Sequence, residues 1–147
     1  MKQASWVHGN AVKLANEGYF LTTQYTGWGA EIQTHGTQWF HFTVPTPVIV
    51  NGVDTILQKL FVMFSTGGTA KITAVHVWDG PNMIQAYDNL NVTGDHSKLL
   101  DAQNTWVPNP VHLKWGLDIS VCVDFGPPSQ IGVPQITFAS AGADFNA

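Results

Sequence analysis

The sequence contains no arginine and few charges of either sign. Only 11% of its 147 residues are charged, and the six lysines are outnumbered by ten acidic residues, which gives a net charge of -4. Nucleic acids and anionic membranes are bound by basic surfaces. The composition therefore predicts neither nucleic acid nor a membrane as a partner. It also excludes bidentate arginine clamps on carboxylates or phosphates.

Cysteine and long apolar runs are also scarce. Cys122 is the single cysteine, so no internal disulfide can form. The first residues show no apolar signal region, and no apolar run approaches the ~20 residues of a membrane span. These features lead us to expect a cytoplasmic protein.

No sustained helical period occurs, whereas short alternating segments are frequent. Residues 117–125 alternate most cleanly between apolar and polar side chains, and residues 39–44 and 70–78 also alternate. Residues 60–64 are apolar on both faces, as in a central strand. With turns at regular spacing, these segments predict an all-β antiparallel sandwich, jelly-roll-like, of eight or nine strands. The length fits a single domain over residues 1–147.

Other segments carry more detailed predictions. Residues 5–14 read as a strand interrupted at Gly9 and Asn10, and residues 89–104, the least patterned segment, read as a long loop. In residues 70–78, alternation predicts that Ile72 shares a face with His76. Residues 140–147 are rich in glycine and alanine and read as a tail. Further strands are predicted at residues 19–26, 30–34, 83–88 and 131–138.

Three tryptophan–histidine pairs have a spacing of two residues: Trp6 with His8, Trp39 with His41, and His76 with Trp78. In a strand, this spacing puts both side chains on one face. Tryptophan offers a flat apolar surface with one donor, and histidine offers a donor, an acceptor and a pKa near neutrality. If the strands are neighbours, the pairs form an aromatic pocket for a small-molecule ligand. Otherwise the rings are sheet cover and hydrogen-bonded scaffold.

The pocket hypothesis assigns a role to each side chain. Trp39, His41, His76 and Trp78 line the site, while Trp6, His8 and Trp28 border it. His41 or His76 is the acid or base, and Asp79 or Asp95 is an orienting carboxylate. Such a site suits a cofactor-independent isomerase or cyclase that acts by shape and proton transfer.

The segment Asp95-His96-Ser97 contains the residue types of a hydrolase triad. Adjacent side chains diverge and cannot form one, so a turn capped by its own side chains is the simpler interpretation. His96 as a general base oriented by Asp95 stays as an alternative. We predict no metal and no cofactor, because the sequence has no His-x-His, no His-Glu-x-x-His and no cysteine pair.

Two non-catalytic alternatives belong to other functional classes. Trp28 lies between Gly27 and Gly29 in a turn that would present its ring to stack on a sugar, as in a lectin-like carbohydrate-binding module. Unpaired strand edges near Pro45 and Pro108 would instead favour self-association as a homo-oligomer.

Several short motifs occur along the chain: Trp-Val-His-Gly-Asn-Ala at 6–11, Gly-Trp-Gly at 27–29, Trp-Phe-His-Phe at 39–42, Pro-Thr-Pro-Val at 45–48, Asp-Gly-Pro at 79–81 and Gly-Asp-His at 94–96. This set resembles a family of small, mostly bacterial single-domain proteins known only as a domain of unknown function. The chain departs from that pattern at Thr43, where proline is expected, and at Trp78, where tyrosine is expected. The resemblance implies no reaction, but its motifs contain the tryptophan–histidine pairs.

Overall fold

The computed structural model of this protein describes residues 1–16, 22–127 and 132–147. The predicted strand residues Tyr19, Phe20, Leu21 and Ile131 lie outside these ranges. The strands are β1 (Lys2–His8), β2 (Lys13–Leu14), β3 (Thr22–Thr26), β4 (Gly29–Gln33), β5 (Thr37–Val44), β6 (Ile49–Val50), β7 (Val53–Asp54), β8 (Ile56–Gly67), β9 (Lys71–Asp79), β10 (Asn82–Tyr87), β11 (Asp95–His96), β12 (Thr105–Trp106), β13 (Val111–His112), β14 (Leu117–Asp124) and β15 (Gln135–Asn146).

The strands form two antiparallel sheets and a short β6–β7 hairpin. The eight-stranded sheet has the order β11-β8-β15-β4-β3, and β1 pairs with β15 while β12 and β13 pair with β8. The five-stranded sheet has the order β10-β9-β14-β5-β2. The chain crosses repeatedly between the sheets, for example from β8 to β9 and from β13 to β14 to β15. The prediction of an antiparallel β-sandwich is confirmed. No helix in the described ranges is long and apolar enough to cross a membrane.

Aromatic side chains from both sheets fill the core. Phe40 and Phe42 of β5 point inward, and each ring lies 5.2 Å from the ring of Phe138 on β15. All three side chains are fully buried. Burying a phenylalanine contributes about 1.5–3 kcal/mol, so this cluster is a large part of what holds the sheets together. The alternation of residues 39–44 thus corresponds to one buried and one outer face of β5.

The predicted tail is instead half of a central strand. β15 runs to Asn146 and pairs with β8 on one side and with β1 on the other. Its small residues reflect close packing rather than disorder. A Cβ atom added at Gly142 would lie 2.5 Å from Cδ2 of Trp6, which packs over it. Ala141 and Ala143, on either side of Gly142, are fully buried in the core.

The predicted faces of β9 are wrong on one side of a β-bulge. Ala74 pairs with Cys122 of β14, but the next pair along is Ile72 with Val123, so Thr73 is the extra residue. An extra residue reverses the alternation beyond it. Ile72 therefore points into the core, whereas His76 lies on the outer face. The loop over residues 89–104 is present as predicted, except that β11 within it pairs with β8.

The break at Gly9 and Asn10 is a crossing point. β1 belongs to the eight-stranded sheet and β2 to the five-stranded sheet, with a 3-10 turn over Gly9–Ala11 between them. A Cβ atom at Gly9 would overlap the carbonyl oxygen of Phe138, so only glycine allows the chain to pass so close to β15.

Candidate functional site

Two of the three tryptophan–histidine pairs meet on the outer face of the five-stranded sheet. β14 lies between β5 and β9, and Ser120 is opposite His41 on one side and His76 on the other. These strands form an open groove of about 400 Å³. Its lining comprises Trp39, His41, His76, Trp78, Gly80, Asp118 and Ser120.

His41 is held by two side chains of β14. Its Nδ1 lies 3.1 Å from Oδ2 of Asp118 and 2.9 Å from Oγ of Ser120, and the Ser120 hydroxyl donates to Asp118 at 2.8 Å. A carboxylate only accepts, so Nδ1 carries the hydrogen. In the neutral ring, Nε2 is then an acceptor, and it has no hydrogen-bond partner among the described residues. Nε2 of His41 is therefore a hydrogen-bond acceptor at a fixed position in the groove.

His76 is held in a similar way but through its other nitrogen. Nε2 lies 2.8 Å from Oδ1 of Asp88, so Nε2 carries the hydrogen and Nδ1 is the acceptor of the neutral ring. The His76 ring also packs against Trp39, with centroids 4.8 Å apart and planes tilted by 50°. Each histidine therefore uses one ring nitrogen for support and leaves the other for a ligand.

Ser120, His41 and Asp118 resemble a catalytic triad in composition but not in geometry. In a triad, the serine and the aspartate bind opposite nitrogens of the imidazole. Here both approach Nδ1 of His41. The ring cannot take a proton from Ser120 at Nδ1 while donating from that same atom to Asp118. This cluster orients hydrogen-bonding groups and does not activate a serine nucleophile.

Asp79 does not orient either histidine. Only 5% of its surface is exposed, and its carboxylate accepts the backbone N–H groups of Lys114, Trp115 and Gly116 at 3.0, 2.8 and 3.1 Å. Those bonds use both carboxylate oxygens. Asp79 therefore anchors the segment before β14, and the orienting carboxylates of the groove are Asp88 and Asp118.

The third pair, Trp6 with His8, lies on the other sheet. Trp6 stacks on Phe61 of β8, with centroids 5.0 Å apart and planes at 11°. His8 Nε2 lies 3.0 Å from the Gly27 carbonyl oxygen. Neither side chain lines the groove, because β1 pairs with β15 and not with a strand of the five-stranded sheet.

Trp28 also lies outside the groove, at the turn between β3 and β4. Its side chain is exposed, with 68% of the residue surface accessible, and its Nε1 donates to Oε1 of Glu31 at 3.2 Å. An exposed ring in this turn matches the expected conformation. The turn belongs to the eight-stranded sheet, so it forms a separate surface.

His96 and Asp95 do not form an orienting pair. Asp95 instead binds Ser97, and these hydrogen bonds lower the pKa of its carboxyl. His96 Nδ1 lies 2.8 Å from Asp101, and Nε2 lies 2.7 Å from the Thr93 carbonyl oxygen. Both partners are acceptors, so only the doubly protonated ring satisfies both. The hydrogen bond to Asp101 accordingly raises the pKa of His96. His96 thus links Thr93 and Asp101 within the loop next to β8, and we call this pair of hydrogen bonds the His96 clamp.

Sequence reasoning missed Asp88, Asp118 and Ser120 as groove residues. The alternation of residues 117–125 does put Asp118 and Ser120 on the polar face of their strand. The missing information was which strands flank β14. Among the described residues, no group of three or more His, Cys, Asp or Glu side chains is arranged to hold a metal ion.

Comparison with known proteins gives a family and a fold. A family model described as a family of unknown function (DUF6623) matches residues 1–146. No curated protein sequence is significantly similar to this chain. A low-affinity xylan-binding module, CBM86, from the gut symbiont Roseburia intestinalis has a similar structure, with a TM-score of 0.56 and 10% identity over 99% of this chain and 96% of that one.

Two further solved structures have lower TM-scores. The CBM36-1 domain of a multidomain xylanase from the hindgut metagenome of Trinervitermes trinervoides has a TM-score of 0.45 at 8% identity, covering 99% of this chain and 98% of that one. A family 35 carbohydrate-binding module from Clostridium thermocellum has a TM-score of 0.38 at 14% identity, covering 91% and 97%. At these identities, the likeness concerns the β-sandwich fold alone.

Proposed function

Because the chain belongs to the DUF6623 family, whose function is unknown, we propose from its groove that it is a non-catalytic carbohydrate-binding protein. The groove on the outer face of the five-stranded sheet is the binding site. The observation that carries this proposal is the combination of two tryptophans with oriented hydrogen-bonding groups on an open sheet surface.

The two tryptophans supply surfaces for stacking. A pyranose ring has an apolar face of C–H groups, and an aromatic side chain offers a flat surface for it. Trp39 and Trp78 are partly exposed, and each projects from a strand and not from a loop. Strand pairing fixes the backbone at both positions, and the Trp39 ring also packs against His76, so little backbone entropy is lost when a ligand binds.

The polar groups match the edges of a sugar. Hydroxyl groups both donate and accept, so a sugar site needs both kinds of partner. Nε2 of His41 and Nδ1 of His76 are acceptors in the neutral rings, and Asp118 is a further acceptor. The indole N–H groups of Trp39 and Trp78 can donate. The contacts of the histidines with Asp118 and Asp88 fix these groups before a ligand arrives.

The openness of the groove favours binding over catalysis. Enzymes that use proton transfer generally enclose the substrate and exclude water. This groove lies along the sheet surface, and its one Ser–His–Asp cluster lacks triad geometry. An isomerase or cyclase would need a closed pocket around His41 or His76. An extended saccharide needs an open surface of this kind.

The similar fold of a xylan-binding module suggests the first polysaccharide to test. A shared fold at low identity does not transfer a ligand, since sites vary within one fold. The xylose backbone of xylan is uncharged, however, and an acidic protein without arginine is better suited to neutral than to anionic saccharides. We therefore place xylan ahead of acidic polysaccharides.

Affinity gel electrophoresis with soluble xylan, mixed-linkage glucan and galactomannan tests the proposal. At least one polymer should retard the wild type, and Trp39→Ala and Trp78→Ala should each weaken binding about tenfold, as loss of a stacking surface would. Trp28→Ala is the matched control, because it removes an exposed tryptophan from another surface. If no polymer retards the protein, or if only Trp28→Ala abolishes retardation, the groove proposal is wrong.

A further inference from the structure

A third tryptophan, Trp115, lies at one end of the groove. It is 70% exposed, which is the largest exposure of any tryptophan among the described residues. The Trp115 side chain lies against Gly80, which lines the groove. A Cβ atom at Gly80 would lie 2.8 Å from Cβ and 3.2 Å from Cγ of Trp115. The base of the Trp115 side chain therefore packs directly on the groove wall.

The backbone around Trp115 is held by several hydrogen bonds. Three consecutive N–H groups, those of Lys114, Trp115 and Gly116, donate to the buried carboxylate of Asp79. The Gly80 N–H donates to the Gly116 carbonyl oxygen at 2.8 Å. Charged acceptors make the stronger hydrogen bonds in proteins. The root of the ring is therefore fixed relative to Gly80 and β9.

The three tryptophans are spread along β14. Trp39 is opposite Cys122, and Trp78 is opposite Asp118, four residues earlier on β14. At ~3.3 Å per residue, these positions are ~13 Å apart along the strand. Trp115 precedes Asp118 by three residues, which adds at most ~10 Å. The path from Trp39 to Trp115 is therefore longer than one sugar ring.

We propose that Trp115 is a further sugar-stacking position at the Gly80 end of the groove, and that the ligand is a linear oligosaccharide lying along β14. This inference rests on the proposed carbohydrate-binding function. It adds a residue outside the groove lining and specifies a chain of several sugars as the ligand. Trp115 would contact only ligands long enough to pass Trp78 and Gly80.

Titration calorimetry with β-1,4-linked xylo-, cello- and manno-oligosaccharides, from disaccharide to hexasaccharide, tests the inference. For the series that binds, wild-type affinity should rise with length. Trp115→Ala should weaken hexasaccharide binding about tenfold and leave the shortest bound ligand within about twofold. Trp115→Phe should restore most of the loss, because it retains an aromatic face. Trp39→Ala should weaken binding at every length.

The outcomes separate the two proposals. Trp28→Ala, a substitution of an almost equally exposed tryptophan, should leave every affinity unchanged. If Trp115→Ala binds the hexasaccharide like the wild type while Trp39→Ala is weakened, the Trp115 position is refuted and the groove stands. If the wild type binds no member of any series, both the carbohydrate-binding function and the inference are refuted. Thermal unfolding of each variant checks that the fold is intact.

Discussion

Replacement of Asp79 distinguishes an anchoring carboxylate from a catalytic or ligand-binding one. Asp79→Ala removes the acceptor for three backbone N–H groups in the segment before β14. Asp79→Asn retains one carbonyl oxygen. In the wild type, Oδ1 accepts from Trp115 and Gly116, and Oδ2 accepts from Lys114. An asparagine can keep the first two bonds but would turn its NH₂ group toward the third N–H.

The structure sets the expected magnitudes. A hydrogen bond to a charged group contributes about 1.5–3 kcal/mol, and the exposure of Lys114 and Trp115 lets water replace part of each lost bond. We therefore expect a loss of about 4 kcal/mol in the free energy of unfolding for Asp79→Ala. For a chain of this length, that corresponds to a fall in Tm of about 10 °C. For Asp79→Asn, we expect about 1–2 kcal/mol.

Denaturant and thermal unfolding of the wild type and the two variants measure these differences. Titration with the shortest oligosaccharide that binds measures the groove separately. Both variants should retain that binding at temperatures where they are folded. If Asp79→Ala unfolds within about 1 kcal/mol of the wild type yet no longer binds, Asp79 contacts the ligand directly and the anchoring role is wrong.

Three further predictions concern stability. The pKa of His96 is raised by its hydrogen bond to Asp101, so its contribution is complete below about pH 6.5 and is lost as the pH rises past the folded-state pKa. Tm should therefore fall less between pH 6 and 8 in His96→Gln than in the wild type. If the two proteins show the same dependence of Tm on pH, the role of His96 in holding this loop is wrong. Gly9→Ala should unfold the protein or cost several kcal/mol, because its Cβ would overlap β15, whereas Gly27→Ala meets no atom within 4 Å and should be tolerated in the same melting assay. Trp6→Ala should cost about 1–3 kcal/mol in denaturant unfolding without changing saccharide affinity, and a loss of affinity would place a site on the eight-stranded sheet.

Local alternation was sufficient to predict which side chains share a face where a strand is regular. In β5, it predicted that Trp39 and His41 share one face of the strand, opposite Phe40 and Phe42. The structure adds that the two phenylalanines are the buried pair. In β14, it placed Asp118 and Ser120 on a polar face in the same way. The period of two is a property of the extended backbone, so it can be read without knowing what the strand packs against.

Alternation failed where a feature depends on a partner strand. The bulge at Thr73 exists only in the pairing of β9 with β14, and it reverses the predicted face of Ile72. Residues 140–147 read as a tail because alanine and glycine have low strand propensity. Their place in β15 depends on the packing of Trp6 over Gly142 and on pairing with β1 and β8.

The sequence by itself determined the fold class, through its alternating strands. It also determined the residue types of the candidate site, through tryptophan and histidine two residues apart, and it gave a composition unsuited to binding polyanions. The tertiary structure decided which of these residues meet. The order of the five-stranded sheet brings His41 and His76 to either side of Ser120, and it leaves Trp6 and His8 on the opposite sheet. Strand order arises from contacts between residues distant in the chain, so no local pattern can contain it.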